Sequence, residues 1–279
     1  MTAILMLVAL LALPFLLVAL LIVAARREAR RHPWQFRVSD VVSQAFVALG
    51  RARTPILLTS LFLTLPGVGL QMALGIDPGS SMFQLEGQQL GAFLTVSVLI
   101  GLLLGTLGQL IITALALEVL AGRPAVFREA LARAARLLVP AVVVQILWWI
   151  GVSFGLMLLI VPGLILMLSW AIVLPVLVAE GAGIFGSFSR SGELMRGARW
   201  RLLLLLAVVA VVWSLFGGVG QGFLLASTTD AGRTFGVVIQ ALVTTLSSAL
   251  TATGLSAIYH QLKSQREGLV GEDLEAVFA

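Results

Sequence analysis

The stretch IVPGLILMLSWAIVLPVLVAEGAGIFGSFSRSGELMRGARWR, Ile160 to Arg201, decides the fold. Up to Glu180 it is apolar and uncharged, long enough to cross about 30 Å of hydrocarbon. Pro162-Gly163 reads as a tight turn on the outer side, and Glu180-Gly181 as the end of an inward-going helix. Ile184 to Arg199 then reads as a short interfacial helix. Phe185, Phe188 and Met195 lean to one side of it, and Arg190, Glu193 and Arg196 to the other. Trp200 marks the headgroup level where the next span starts.

Toward the N-terminus the same module recurs. The apolar sequence from Leu138 to Ala179 would be about 63 Å long as one helix at 1.5 Å per residue, so it must fold into a hairpin. Before it, Val126 to Leu138 is amphipathic: Phe127, Ala130, Leu131, Ala134 and Leu138 on one face, Glu129, Arg133 and Arg136 on the other. Phe36 to Arg53 repeats the pattern through Val38, Val41, Val42, Ala45, Phe46 and Leu49, with Ser39 as its N-cap. Pro55 to about Leu74 is an outward span kinked at Pro66-Gly67, and Gly75 to Gln89 is an outer connector. Ala92 to Leu120 returns, carrying Gly101, Gly105 and Gly108 as a small-residue stripe for close helix approach, so Gly105→Leu is expected to overpack a helix contact. Gly122 and Pro124 stop it.

Toward the C-terminus, Leu202 to Phe216 travels out, Gly217 to Arg233 is a glycine-rich connector, and Phe235 to Tyr259 returns. At the other end, the apolar run Thr2 to Ala25 precedes Arg26, Arg27, Arg30 and Arg31; charge after the core marks a retained span rather than a cleaved signal.

The expected fold is an all-α, polytopic helical membrane protein of about seven transmembrane helices, with three pseudo-repeats of interfacial helix plus hairpin. Residues 1–35 form an added span and basic linker, 36–261 the membrane domain, and 262–279 a polar cytoplasmic tail. Every basic residue except Arg233 falls on one side, which places the N-terminus outside and the C-terminus in the cytoplasm.

Composition agrees: 59% of residues are hydrophobic and 11% charged. The absence of cysteine excludes disulfides, thiolate catalysis and cysteine metal sites. The excess of arginine suits membrane orientation and anionic headgroups rather than nucleic acid.

Glu118 and Glu180 are the acids at the edges of spans, each ending an inward-going helix. A carboxylate there needs a partner, for which an interfacial arginine is the natural choice; a structural latch, a proton or cation site, and snorkelling to water all fit. Gln109 and Gln145 on neighbouring spans can hydrogen-bond across helices. Thr244, Ser247, Ser248 and Thr251 share one side of the last span, where hydroxyls also return bonds to their own helix. Arg133, Arg136, Arg190, Arg196, Arg199 and Arg201 either anchor the topology or capture anionic lipid.

Gly181-Ala-Gly183-Ile-Phe-Gly186 has the spacing of a dinucleotide fingerprint but follows a span, not a strand. Gly151-Val-Ser153-Phe-Gly155 has that of a nucleophile elbow but lies inside a span. His32 and His260 make no metal site. No enzyme, metal or cofactor is expected.

Pro162-Gly163, Trp170, Pro175, Glu180-Gly181, Arg190-Ser191, Glu193-Leu194, Gly197 and Trp200 resemble the signature of the glycerophosphoryl diester phosphodiesterase membrane-domain family and its bacterial inner-membrane relatives. Phe36 to Pro55 resembles the first helix of that family, and the likeness runs from Phe36 to Gln261. The resemblance implies a helical membrane domain alone, in a bacterial cytoplasmic (inner) membrane. In fused members the phosphodiesterase chemistry belongs to a separate soluble barrel, so no catalytic residues carry over. The functional expectation is a non-enzymatic module at the cytoplasmic leaflet that binds anionic lipid or holds a protein partner. The alternatives are a transporter of a lipid-like or amphipathic solute and an accessory subunit of a larger complex.

Overall fold

The computed structural model describes residues 38–73, 91, 95–96, 98–226 and 229–278. The added first span, its basic linker and the connector Gly75 to Gln89 lie outside the described residues. The described elements are all helical: α1 (Val38–Arg51), α2 (Arg53–Ala73), a π-helical turn (Gly101–Gly105) leading into α3 (Thr106–Leu120), α4 (Phe127–Leu158), α5 (Ile160–Ser169), α6 (Val173–Glu180), α7 (Gly183–Leu194), α8 (Arg199–Ala226) and α9 (Asp230–Phe278).

Among the described residues, four stretches are long and apolar enough to cross a membrane: Val98–Leu120, Phe127–Leu158, Val161–Glu180 and Thr234–Glu267. A fifth is added if Val38–Arg51 and Arg53–Pro66, which meet at 89°, count as one broken span. Large apolar side chains point outward along these helices; Phe62 is 62% exposed, Val139 73% and Phe154 61%. Such a surface suits acyl chains, while the interior combines small residues with fully buried aliphatic ones such as Ile56, Leu110, Ile112 and Leu115.

α9 is the central helix. It packs against α1, α2, α3, α6, α7 and α8. Its buried face is made of small residues, Ala249, Ala252, Thr253, Ser256 and Ala257, which lets several helices approach at once. The hydroxyls of Thr253 and Ser256 donate to the carbonyls of Ala249 and Ala252 (both 2.8 Å), so they cost no unsatisfied group in the interior.

The hairpin expected at Pro162-Gly163 turns earlier. α4 ends at Leu158, Leu159 is extended, and α5 begins at Ile160. Pro162 therefore sits in the first turn of α5, where its missing N–H has no intrahelical carbonyl to meet. Gly163 is buried against the backbone of Leu156, and a Cβ on Gly155 would stand 2.9 Å from Gly163 Cα. The stretch that imitates a nucleophile elbow is thus a packing face: Gly155 admits α5 and Gly151 admits the Trp170 ring. The return leg is itself broken at Trp170 to Ile172.

The three interfacial helices do not behave alike. α1 and α7 are separate helices, and Gly197 (φ +84°) turns the chain between α7 and α8. The second is no separate element: α4 runs unbroken from Phe127 through Pro140 into the span. No glycine lies between Arg123 and Ile150, so the helix has no residue suited to a left-handed stop there. Ser39 lies inside α1 rather than capping it and donates to Asp40 (3.1 Å).

One further expectation is corrected. The connector Gly217 to Arg233 is mostly helix, because α8 continues to Ala226 and α9 begins at Asp230. Residues 262–278 continue α9, and Leu262 at their start is buried.

Candidate functional site

Glu118 and Glu180 occupy equivalent places. Each lies at the C-terminal end of a helix followed by a positive-φ glycine, Gly122 (φ +72°) after α3 and Gly181 (φ +60°) after α6. Each meets an arginine from the helix that follows. Their surroundings then diverge.

Glu180 is the hub of a network. Arg190 Nε donates to its Oε2 at 3.2 Å, the Tyr259 hydroxyl donates to its Oε1 at 2.9 Å, and Lys263 Nζ lies 3.9 Å from Oε1. Arg190 also stands 3.9 Å from Glu193 and 3.9 Å from Glu267, and Lys263 stands 3.7 Å from Glu267. The chain's one tyrosine and its one lysine both reach this carboxylate from α9. The cluster joins α6, α7 and α9, with α7 further held by the Ser191 hydroxyl, which donates to the Ser169 carbonyl at 2.8 Å. Trp170 meets Phe188 edge-on at 4.8 Å beside it. The interior side of α7 is Ser187, Ser191 and Leu194, while Phe185 points outward and Met195 is buried in the turn that follows.

Glu118 has far less. Arg133 Nη1 lies 3.9 Å from its Oε1, and its buried Oε2 has no hydrogen-bond partner among the described residues. Arg133 faces the other way as well. With Arg128 and Arg136 it lines a groove of about 590 Å³ between the first turns of α4 and the end of α6, floored by Leu177 and Val178 and closed by Gly181. Glu129 is the acid in its wall, so cations exceed anions there.

The six arginines singled out from sequence therefore separate. Arg133 and Arg136 share the groove, joined by Arg128, which the amphipathic pattern did not single out. Arg190 is committed to the carboxylates of Glu180, Glu193 and Glu267. Arg196 is exposed and its carbonyl accepts from Arg266 Nη2 at 3.3 Å. Arg199 and Arg201 are half-buried at the start of α8, on the far side of the turn at Gly197.

The small-residue stripe before α3 reduces to one contact. A Cβ on Gly108 would collide with the Leu63 side chain, whereas Gly101 and Gly105, at the ends of the π-helical turn, meet nothing within 4 Å. Gln109 and Gln145 are half-buried and no hydrogen bond joins them. Thr244 and Thr251 face outward; Thr244 donates to the Gln240 carbonyl at 2.9 Å and Ser248 to that of Thr245 at 3.0 Å. Among the described residues no group of His, Cys, Asp or Glu could hold a metal. No protein-family model matches the chain, and neither does any curated protein or solved structure.

Proposed function

We propose that the chain is a non-enzymatic membrane module that binds anionic lipid at the cytoplasmic leaflet. One observation carries this reading. Arg128, Arg133 and Arg136 open into one groove at the end of a helix that continues directly into a span. A guanidinium fork at that depth meets headgroups, and each juxtamembrane cation contributes about 1 kcal/mol of attraction to an anionic surface. The proposal includes the inner-membrane location, the topology with the N-terminus outside, the seven spans in three pseudo-repeats, and membership of the membrane-domain family named above. Charge sorting supports the topology, and the paired Glu118 and Glu180 corners support two of the repeats.

The test is melting of delipidated protein in liposomes of fixed size, with and without anionic lipid. Ligand binding to the folded state raises the melting temperature by mass action. Stabilisation that grows with anionic lipid content is expected; melting indifferent to it would reject the proposal.

A transporter of an amphipathic solute is the second reading, favoured by the unpartnered Glu118 Oε2 inside the bundle. Reconstituted vesicles should then show flux that Glu118→Gln abolishes, and equal leak in both proteins would dismiss it.

A further inference from the structure

We propose that the groove between α4 and α6 is a phosphate-selective site, not merely a basic surface. The inference rests on the lipid reading above and names its ligand: a phosphate group with at least one ionised oxygen, as in a phospholipid headgroup.

Three features of the groove select phosphate. The first is the spacing of its cations. Arg128 and Arg136 are exposed on α4 and Arg133 lies between them, so guanidinium forks approach one space of about 590 Å³ from one wall. Planar forks donate paired hydrogen bonds that match the oxygens of a phosphate better than a lone carboxylate edge matches all of them.

The second is the chain that continues from Gly181, the one residue of the α6–α7 corner that lines the groove. Gly181 (φ 60°, ψ 25°), Ala182 (φ −68°, ψ 6°) and Gly183 (φ +71°) alternate left- and right-handed conformations. Successive N–H groups in that alternation form a concave nest for an anion. The Gly181 N–H is taken by the Leu177 carbonyl at 3.1 Å, which leaves the next N–H groups at the mouth of α7, whose N-cap Ala182 has no side chain able to satisfy them. A Cβ on Gly181 or Gly183 would meet nothing within 4 Å. These positions need glycine for conformation, not for space.

The third is the contrast with α7. Arg190 is surrounded by Glu180, Glu193 and Glu267 and has no charge to spare for a ligand. In the groove, Arg133 is the arginine that a carboxylate holds, loosely, and Arg128 and Arg136 supply the net positive charge. One arginine cluster is a latch and the other is a site.

The experiment uses the full chain, delipidated in neutral detergent. It is titrated with mixed micelles carrying phosphatidylglycerol, with micelles carrying oleate at matched charge, and with inorganic phosphate alone. Phosphatidylglycerol is expected to bind at least roughly tenfold tighter than oleate. Arg128→Gln with Arg136→Gln should weaken it by roughly tenfold or more, while Arg51→Gln on α1 should not. Both groove arginines are exposed, so folding is not at stake, and the unliganded melting temperature checks this. Saturable binding of inorganic phosphate that the double variant loses supports the site and assigns it to a free phosphate if the lipid arm is silent. Equal binding of phosphatidylglycerol and oleate, or equal weakening by Arg51→Gln, overturns the site while leaving charge-driven lipid association standing. Indifference to every anion overturns both.

Discussion

At the scale of single residues, the two span-edge carboxylates do different work. Glu180 is half-buried and meets Arg190, Tyr259 and Lys263, so two cations and a hydroxyl donor compensate its burial. Tyr259→Phe keeps the packing and removes one hydrogen bond to a charged acceptor. It should lower stability by about 1–3 kcal/mol in detergent melts. Arg196→Gln, exposed beside the same helix, should change it by no more than about 0.5 kcal/mol. Glu118 depends on Arg133 alone, so Arg133→Gln leaves a buried carboxylate without its counter-charge. It should melt below Arg136→Gln, which removes a similar charge from the same groove; equal melting would mean that the pair at 3.9 Å contributes nothing. The position of Glu118 and Glu180 at span edges was legible in the sequence, and so was the need for an arginine. Their inequality was not. It arises because α9 passes beside Glu180, carrying Tyr259, Lys263 and Glu267 across a long sequence separation, and no local pattern announces that.

At the scale of elements, helix contacts are decided by which glycines face a neighbour. Sequence spacing grouped Gly101, Gly105 and Gly108 on one stripe, yet the π-helical turn between the first two shifts the register and leaves only Gly108 against Leu63. Gly105→Leu, expected from sequence to overpack, should therefore melt close to the parent protein. Gly163→Ala should cost the most of the three, about 1–3 kcal/mol or more, because its Cβ meets the Leu156 backbone, which cannot rotate away. Gly108→Ala should fall between them, since the Leu63 side chain can change rotamer. The existence of a hairpin was legible from length alone, because no single helix fits twice the bilayer. The residue at which it turns was misread, since Pro162-Gly163 is equally suited to starting a helix. The end of α9 provides a further check. A solvated tail would tolerate Leu262→Ala, whereas the buried Leu262 of the continuous helix should cost about 2–5 kcal/mol in the same melts.

At the scale of the whole molecule, the basic ends of α4 and α7, the latch at Glu180 and the groove all lie around one end of the bundle, and the hairpin tip lies at the other. That tip is wholly apolar: Met157, Leu158, Leu159 and Val161 are exposed with no polar residue among them. The grouping of basic residues is what the sequence announces most clearly, with Arg233 as the exception. What composition does not announce is which arginines remain available to a ligand, since that depends on the carboxylates brought from distant helices.

The central claim is that the groove opens at the cytoplasmic face, and single-cysteine labelling tests it most directly. The chain contains no cysteine, so Ala132→Cys places one thiol in the groove wall on an unlabelled background. A membrane-impermeant maleimide should label it in inverted vesicles and leave it unmodified in intact cells. Labelling in intact cells would place the arginine groove outside and contradict the account.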